Sequence, residues 1–421
     1  MRGIRDTTYL SLTGQDLWSD LNSDLDILSL AERSNIVELD RELHAQWGLG
    51  RNFILGWSGT QTGVCLLIAP HYSVADYAMG SHLEPDATEQ NQEAANFVME
   101  LLARRRQLSE RQIKNAAKLL SVEPVLCETR TKLTGSDAET RVIEKLVTRY
   151  GVRYVQNRAV ALFDIVGFSL LSPFEQMSQL NSLSYSLNSA HSKMLDRDVN
   201  VRFTRSSTGD GFYIWNRELG VSANTNLYHL MHLVLADNAI ASSKAHNRTV
   251  PLLRTAFHVG SCYEFHQAEG LNPTVFSDIV GDVTIELARM VERALPGQVL
   301  VGDFQAVLPG DQPDTLMELD SVSFIEFAQH NLSNLNGLEL SGEAIESIKC
   351  YLTGEPSGEG FSIRKMNIED KHGLFHTVFN AKINIYRNHA DPILLGIEDR
   401  ILRGDHLRMA TIGHILPDVR H

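Results

Sequence analysis

The stretch VALFDIVGFS, residues 160–169, determines the fold of the central part of this chain. It is an apolar strand that ends in a carboxylate, Asp164, and is followed by a turn at Gly167. A second carboxylate, Asp210, lies in the stretch TGDGFYI, residues 208–214. A carboxylate at the end of a buried strand needs a cation or a hydrogen-bonding partner that offsets its desolvation. We therefore predict that Asp164 and Asp210 bind a divalent cation.

Strand and helix patterns alternate on both sides of Asp164, between residues 153 and 304. The pattern predicts strands at 158–165, 199–206, 211–216, 252–260 and 298–302, and helices at 173–195, 224–245 and 279–294. Such a mixture of hairpin and crossover connections is typical of an α+β fold, in which helices flank a mixed or antiparallel sheet.

The flanking sequence divides the chain into further parts. Residues 1–137 predict an α/β region of unknown role, with a buried hairpin at 53–70, a helical stretch at 89–120 and a solvated arginine run at 104–106. Residues 138–151 predict a connector helix that is capped from 134–137 and stops at Gly151. We expect a central domain at 152–318 and a small β-rich domain at 319–421.

Bulk composition excludes several classes of protein. The chain has 421 residues, of which 43% are hydrophobic, so it can form two or three domains with apolar cores. Its net charge of −14 argues against binding to nucleic acid or to an anionic membrane. The amino-terminal residues lack an apolar run, so we expect a cytoplasmic protein. The four cysteines are scattered and predict neither a disulfide framework nor a zinc site.

The turn after Asp164 is suited to phosphate. A strand, a glycine turn and a helix that begins near Ser172 leave backbone N–H groups unpaired, and such groups bind phosphate oxygens. The candidates are the amides of Ile165, Val166, Gly167 and Phe168. Two carboxylates and phosphate oxygens together suit the octahedral shell of magnesium. Asp210 alone could equally belong to an ordinary hairpin turn.

A third segment, SDIVGDVTIELARMVERALPGQVLVGD at 277–303, places Asp278 and Gly281 before a helix that carries Arg289. An arginine directed at a triphosphate would stabilise charge that develops when the α-phosphorus is attacked. Asp278 could instead cap the helix that follows it.

In this order and spacing, the three segments resemble the catalytic domain of the class III nucleotide cyclases, over roughly residues 155–305. The resemblance implies that Asp164, Ile165 and Asp210 bind two Mg²⁺ or Mn²⁺ ions and that the 165–168 amides bind the triphosphate. It implies that Arg289 acts in the transition state and that Asp278 reads the base. It also implies a head-to-tail homodimer, in which the aspartates of one chain face Arg289 of the other.

Two positions depart from the purine cyclases of that family. Ser206 stands where a base-reading lysine is usual, and Ile285 stands where an asparagine orients the ribose. Without these groups, selection of adenine or guanine should weaken. Arg205 could reach a pyrimidine carbonyl or a phosphate, or point outward. Phe168 and Phe212 could flank the base or belong to the core.

The C-terminal part adds a second resemblance. Residues 370–373, AspLysHisGly, and the alternating strand at 378–386 look like the sensor domain of bacterial antiphage nucleotide synthases. The combination resembles the pyrimidine cyclases of the Pycsar defence system. It implies conversion of UTP to 3′,5′-cyclic UMP and diphosphate in response to a phage-derived trigger. Solvated surface positions are predicted for Lys371 and Lys382, and a metal pair of His372 and His376 is disfavoured.

Three alternatives stay open. CTP is the next substrate after UTP. An adenylate or guanylate cyclase with a divergent base pocket is the second alternative. The third is a non-catalytic protein that binds nucleotide and signals through its flanking domains.

Overall fold

A computed structural model describes residues 22–78, 89–268, 275–312, 314–357, 360–402 and 408–417. The chain divides into two compact units, the first formed by 1–155 with 263–279 and the second by 156–262 with 280–421. In the described ranges, no helix has the length and apolar character that crossing a membrane requires.

The first unit contains most of the N-terminal region. Its helices are α1 (Asn22–Ile27), α2 (Leu30–Trp47), α3 (His71–Ala78), α4 (Glu89–Ala103), α5 (Glu110–Leu119) and α6 (Asp137–Arg149). Its small antiparallel sheet consists of β1 (Asn52–Gly59), β2 (Gly63–Pro70) and β3 (Val125–Glu128). The hairpin predicted at 53–70 is confirmed as β1 and β2.

Two details of this unit follow from capping. The Ser136 hydroxyl accepts the amide of Glu139 and begins α6, as the sequence predicts. The arginine run at 104–106, predicted to be a solvated helix face, is a break between α4 and α5. Arg106 is buried there, and its guanidinium donates to the carbonyl oxygens of Leu101 and Leu55. Arg106 thereby satisfies one main-chain acceptor at the end of α4, Leu101, and one on strand β1, Leu55.

The second unit contains a large mixed sheet. Strands β4 (Val152–Ile165), β7 (Leu253–Ala268) and β8 (Val275–Val280) have residues in both units. The other strands of the large sheet are β5 (Phe203–Ser207), β6 (Gly211–Asn216), β9 (Val299–Gly302), β12 (Glu339–Leu340), β13 (Glu343–Leu352), β14 (Gly354–Ser357), β15 (Gly360–Glu369), β16 (Phe375–Arg387), β17 (Ala390–Leu395) and β18 (Arg408–Pro417). Strands β10 (Gln305–Pro309) and β11 (Leu316–Asp320) form a separate antiparallel pair. The central order is β12-β13-β16-β9-β7-β4-β6-β5. Strands β7 and β9 are parallel, while β4 with β6 and β16 with β9 are antiparallel. The predicted α+β class with a mixed sheet is confirmed.

Helices of the second unit are α7 (Pro173–Leu195), α8 (Val221–Lys244), α9 (Asp282–Arg293), α10 (Ser321–Asn331) and α11 (Asp399–Leu402). Residues of α7, α8 and α10 form one apolar core with the strands of the sheet. Helix α8 is buried nearly all round, which is why its sequence lacks a polar face.

Three sequence expectations about this unit are corrected. The helix expected at 279–294 begins only at Asp282, because 275–280 forms strand β8. The strand expected at 199–206 is β5, and it begins at Phe203. The 378–386 segment, expected to be half exposed, lies in β16, which is mostly buried because it pairs with β13, β15, β17 and β9. Lys382 on this strand is buried, and its ammonium donates to the carbonyl of Gly396.

The pairing of β4 with β6 fixes the relation between the two acidic stretches. Asp164 is directly opposite Gly211 in this antiparallel ladder. A Cβ at position 211 would lie 1.8 Å from the carbonyl oxygen of Phe163, so only glycine allows this approach. The neighbouring residue, Asp210, thus lies in the β5–β6 turn beside the end of β4.

Candidate active site

A cavity of about 310 Å³ lies in the second unit. Its charged lining comprises Asp164, Asp210, Arg254, Arg289, Glu292 and Lys371. The size falls in the range of small-molecule sites, which are about 300–1,000 Å³. Three carboxylates and three cations therefore converge on one concave surface of a single chain.

Asp164 lies at the end of β4, where its side chain is buried and faces Arg254 of β7. The Arg254 Nε donates to Asp164 Oδ2 at 2.7 Å, and its Nη2 makes a second contact with the same oxygen. Burial raises the pKa of Asp164, Arg254 lowers it, and the nearby Asp210 charge raises it further. In this structure, an arginine supplies the cation that the sequence requires for Asp164.

Asp210 belongs to the β5–β6 turn, and its main chain is tied to β4. Its carbonyl oxygen accepts the amide of Ile165 at 2.9 Å, and its carboxylate accepts the Thr208 hydroxyl at 3.3 Å. Burial, followed by the charges of Asp164 and Asp210, raises the pKa of Tyr213 to about 12. Both carboxylates therefore lie near this phenol, which donates to the Thr284 carbonyl at 3.1 Å.

Arg289 projects from α9 into the same cavity. Its Nε lies 3.2 Å from Asp370 Oδ2, and its Nη1 lies 3.6 Å from Glu292 Oε2. Lys371, which follows Asp370 in the turn between β15 and β16, also lines the cavity. The structure thus brings Asp164, Asp210 and Arg289 together within one chain, whereas the resemblance divides them between two.

The predicted phosphate cradle is corrected in part. The Ile165 amide donates to the Asp210 carbonyl, and the Val166 amide donates to the Leu252 carbonyl, each at 2.9 Å. These two N–H groups already donate to main-chain carbonyls, one in the β5–β6 turn and one in the segment before β7, so they are not available to phosphate. Gly167 adopts a left-handed φ of 68° and begins a short 3₁₀ turn, Phe168–Leu170. Within the described residues, the Gly167 and Phe168 amides have no main-chain acceptor, so the cradle reduces to these two.

Three other predicted residues do not line the cavity. Arg205 is exposed on β5, where it donates to the Ser184 hydroxyl at 2.7 Å and lies 5.3 Å above the Phe212 ring. Ser206 is half buried and pairs with Tyr213 of β6. Asp278 lies on strand β8 in the first unit, and its carboxylate accepts the amide of Ile279. A capping role for Asp278 is wrong, because Gly281 is the residue that precedes α9.

The aromatic and histidine candidates have structural environments. Phe168 and Phe212 are partly buried and pack against the apolar core. His376 is buried, with Nδ1 2.8 Å from Glu286 Oε2 and Nε2 3.3 Å from Asp370 Oδ2. Its neighbour in the sequence pattern, His372, donates its main-chain amide to the Asp370 carboxylate.

Two residues that line the cavity are not predicted as site residues from the sequence. Arg254 is absent from the sequence predictions, and Lys371 is predicted to lie on the solvated surface. Arg254 follows the apolar pair Leu252 and Leu253 and precedes TAFHV, so it is a charge inside a buried strand. The desolvation argument that identified Asp164 applies equally to Arg254 and could have found it. Lys371 carries no such signal, because its position depends on how the 370–373 turn packs.

A metal site would rest on few protein ligands. Among the described residues, no group of three or more histidine, cysteine, aspartate or glutamate side chains is arranged to hold a metal ion. Two carboxylates on one cavity still fit magnesium or manganese, because such ions often bind one or two carboxylates with phosphate oxygens and water. Asp164 would have to exchange its Arg254 contact for this bond.

Comparison with known proteins gave structural likenesses only. No family model matches the chain, and no curated protein matches it. The guanylate cyclase domain of RhGC from Catenaria anguillulae in complex with GTP has a TM-score of 0.33 and 11% identity, covering 56% of this chain and 99% of that one. The guanylyl cyclase Cya2 gives 0.32 and 11%, covering 55% and 92%. The adenylyl cyclase CyaB from P. aeruginosa gives 0.29 and 12%, covering 57% and 98%. These values are too low to establish a family.

Proposed function

We propose that this protein is a nucleotide cyclase that converts UTP to 3′,5′-cyclic UMP and diphosphate. The observation that carries this proposal is the single cavity that contains Asp164, Asp210, Arg254, Arg289 and Lys371. The order of the motifs along the chain supports it, because the carboxylates and Arg289 are the residues that the class III resemblance identifies. If these charged residues only paired with one another and bound no ligand, their position around a cavity would have no explanation.

The charges of the cavity suit a metal-bound triphosphate. Triphosphate oxygens carry several negative charges, which the cations Arg254, Arg289 and Lys371 would offset. The same oxygens could not lie beside Asp164 and Asp210 without a cation between them. Asp164, Asp210 and the main-chain oxygen of Ile165 would hold two Mg²⁺ or Mn²⁺ ions that meet that need. When bound, the ions supply positive charge to the phosphate oxygens and to the attacking oxygen.

The reaction needs positioned charge and no covalent enzyme intermediate. The ribose 3′-oxygen attacks the α-phosphorus, a new P–O bond forms, and the bond to the β-phosphate oxygen breaks. The proton of the 3′-hydroxyl leaves to solvent, and diphosphate departs. Arg289 stabilises the charge on the α-phosphoryl group, while Arg254, Lys371 and the amides of Gly167 and Phe168 hold the leaving diphosphate.

The pyrimidine preference rests on two positions. Ser206 and Ile285 stand where the resemblance expects the lysine and asparagine of purine cyclases. Ile285 is 54% exposed on α9 and cannot donate a hydrogen bond. A site that lacks purine-reading donors loses the discrimination that such groups provide. CTP is the second candidate substrate, because the loss of purine-reading donors favours both pyrimidines alike.

The active site could be shared between two chains or formed within one chain, and the two arrangements make opposite predictions for mixtures of inactive variants. The resemblance supports a head-to-tail homodimer, in which Arg289 of one chain serves Asp164 and Asp210 of the other. The cavity favours a site within one chain, because the same three residues already line it together. We propose the homodimer from the resemblance and retain the single-chain site as the second candidate.

The biological role follows from the Pycsar resemblance. We propose that cyclic UMP serves as a second messenger in antiphage defence, and that the segment 319–421 responds to a phage-derived signal. The cyclic UMP concentration in cells that express the protein should rise after phage infection. Cells that express an Asp210→Asn variant should show no such rise.

Purified protein incubated with ATP, GTP, CTP and UTP together, with Mn²⁺ or Mg²⁺, tests the enzymatic proposal. Mass spectrometry of the products should show cyclic UMP as the main cyclic nucleotide. A preference for ATP or GTP would overturn the pyrimidine assignment and leave the cyclase assignment intact. Absence of every cyclic nucleotide, together with tight binding of a triphosphate, would favour the non-catalytic alternative.

A further inference from the structure

We propose that Asp370 is a positioning residue for Arg289, so that the turn between β15 and β16 is part of the active site. This inference deepens the proposed function and rests on it. Arg289 Nε lies 3.2 Å from Asp370 Oδ2, and the Asp370 side chain is only 2% exposed. From the sequence alone, Asp370 belongs to a segment that resembles a sensor domain, and no catalytic role is predicted for it.

The Asp370 carboxylate is held rigidly by its own turn. Its Oδ1 accepts the amides of His372 at 2.8 Å and of Leu374 at 3.0 Å. The turn is closed by the Gly373 amide, which donates to the Asp370 carbonyl, and Gly373 has a left-handed φ of 79°. Because Oδ1 already accepts two main-chain amides, the orientation of the carboxylate is fixed. Oδ2 is the oxygen that contacts Arg289.

A second contact joins the start of β16, directly after the turn, to the same helix. His376 lies 3.3 Å from Asp370 Oδ2 through Nε2 and 2.8 Å from Glu286 Oε2 through Nδ1. Glu286 and Arg289 are three residues apart on α9, so they lie on one helix face. The pairs Asp370–Arg289 and His376–Glu286 therefore fix α9 to the turn and to the first residues of β16.

The geometry of the contact leaves Arg289 available for a ligand. Asp370 holds the guanidinium through Nε, while Nη1 lies 3.6 Å from Glu292, whose side chain is 40% exposed. The Arg289 side chain is itself 21% exposed and lines the cavity. An arginine tethered at Nε loses rotamer freedom before the substrate binds, which lowers the entropic cost of reaching the phosphoryl group.

An opposite role for the same contact is autoinhibition, in which Asp370 would withhold Arg289 from the phosphate. The two roles differ in sign. If Asp370 positions Arg289, then Asp370→Ala lowers kcat, whereas removal of an inhibitory contact raises it. Burial of Asp370 in a closed turn favours the positioning role, because a releasable latch would need a carboxylate that solvent can reach.

The test is a double-mutant cycle between Asp370 and Arg289, measured on the full chain. Asp370→Ala should lower kcat about 10- to 100-fold with little change in the KM for UTP, which is the usual loss when an orienting partner is removed. In an Arg289→Ala background, the same Asp370→Ala change should have no further effect on kcat. A merely structural role would lower kcat equally in both backgrounds and would overturn the proposal.

Controls keep the result interpretable. Asp370→Asn keeps an acceptor oxygen and should retain more activity than Asp370→Ala. If the Asp370→Ala variant does not fold, the Asp370→Asn variant takes its place in the double-mutant cycle. Glu369→Ala, a change at the exposed neighbouring carboxylate, should behave as wild type. If the wild type makes cyclic nucleotide and both Asp370 variants match or exceed it, the positioning role is wrong. If the wild type makes none from any triphosphate, the proposed function fails, and this inference fails with it.

Discussion

Arg254 donates from Nε to Asp164 Oδ2 at 2.7 Å, so the first acidic residue of the candidate site is paired with a cation of its own chain. The partner comes from β7, and Asp164 comes from β4, which are neighbouring strands of the sheet. Removal of one partner from such a pair leaves an uncompensated charge in a partly buried site. This ion pair therefore links the stability of the sheet to the chemistry of the cavity.

Replacement of Arg254 by methionine should weaken substrate binding. Charge-assisted hydrogen bonds contribute about 1.5–3 kcal/mol, so loss of this cation should raise the KM for UTP by about 10- to 100-fold. Thermal unfolding should also shift to lower temperature, because Asp164 loses its partner. The matched control is Arg202→Met, a change at an exposed arginine whose nearest carboxylate, Glu218, is 3.8 Å away. An unchanged KM in Arg254→Met would contradict a triphosphate role.

Asp210→Asn should strongly reduce turnover without unfolding the protein. The change keeps the size of the side chain and the main-chain bond from the Ile165 amide, but it removes the charge that a divalent ion requires. We expect kcat to fall about 10²- to 10³-fold, the range seen when one electrostatic group of a site is lost. Asp311→Asn, at an exposed position, is the control and should retain full activity. Turnover by Asp210→Asn equal to wild type would refute the metal assignment.

Mixing two inactive variants should reveal which chain supplies Arg289. In a head-to-tail homodimer, a mixture of Asp210→Asn and Arg289→Ala chains forms some sites with both wild-type residues, and about a quarter of wild-type activity returns. In a site formed within one chain, every site retains one defect, and no activity returns. Recovery of activity supports the homodimer, and its absence supports the cavity seen in the single chain.

Ser206→Lys should shift the substrate preference toward purines. The change restores the base-reading lysine that the class III resemblance expects, so turnover of ATP or GTP should rise relative to UTP. Ser207→Lys is the control, because neighbouring residues on a strand point to opposite faces of the sheet. The ratio of cyclic purine to cyclic pyrimidine products measures the effect. Equal ratios in the two variants would remove Ser206 from the base pocket.

Asp370 should make stability sensitive to acid. Burial acts to raise the pKa of Asp370, but the amides of Leu374 and His372, together with His376 and Arg289, lower it from its ordinary value of 3.8 to about 2. A carboxyl group with a lowered pKa in the folded state stabilises the fold above its ordinary pKa, and this contribution is lost as the pH falls toward about 2. Urea unfolding between pH 4 and 2 should show a smaller loss of stability in Asp370→Asn than in wild type. Equal slopes would mean that Asp370 does not hold this network.

The order of helices and strands around Asp164, and the position of both aspartates beside strand ends, can be predicted from the sequence alone. Helix α7 spans Pro173–Leu195, as its periodicity and its Ser172 cap predict, and β6 follows the glycine-aspartate turn. These features are local: an apolar period, a capping hydroxyl and a charge at the end of an apolar run are all readable within about ten residues. The same local reading could have identified Arg254, which interrupts another apolar strand.

Which distant groups share the cavity depends on the three-dimensional fold and cannot be predicted from local sequence. Asp164 and Arg254 are 90 residues apart in sequence, and Arg289 meets Asp370 across 81 residues. Strand β16 lies between β13 and β9 in the sheet, and most of its side chains are buried, whereas its alternating sequence predicts a half-exposed strand. The Ile165 and Val166 amides donate to the carbonyl oxygens of Asp210 and Leu252, which are distant in sequence, so no local pattern predicts these hydrogen bonds. Such pairings depend on strand order and on competition among many long-range contacts, and those are properties of the whole fold.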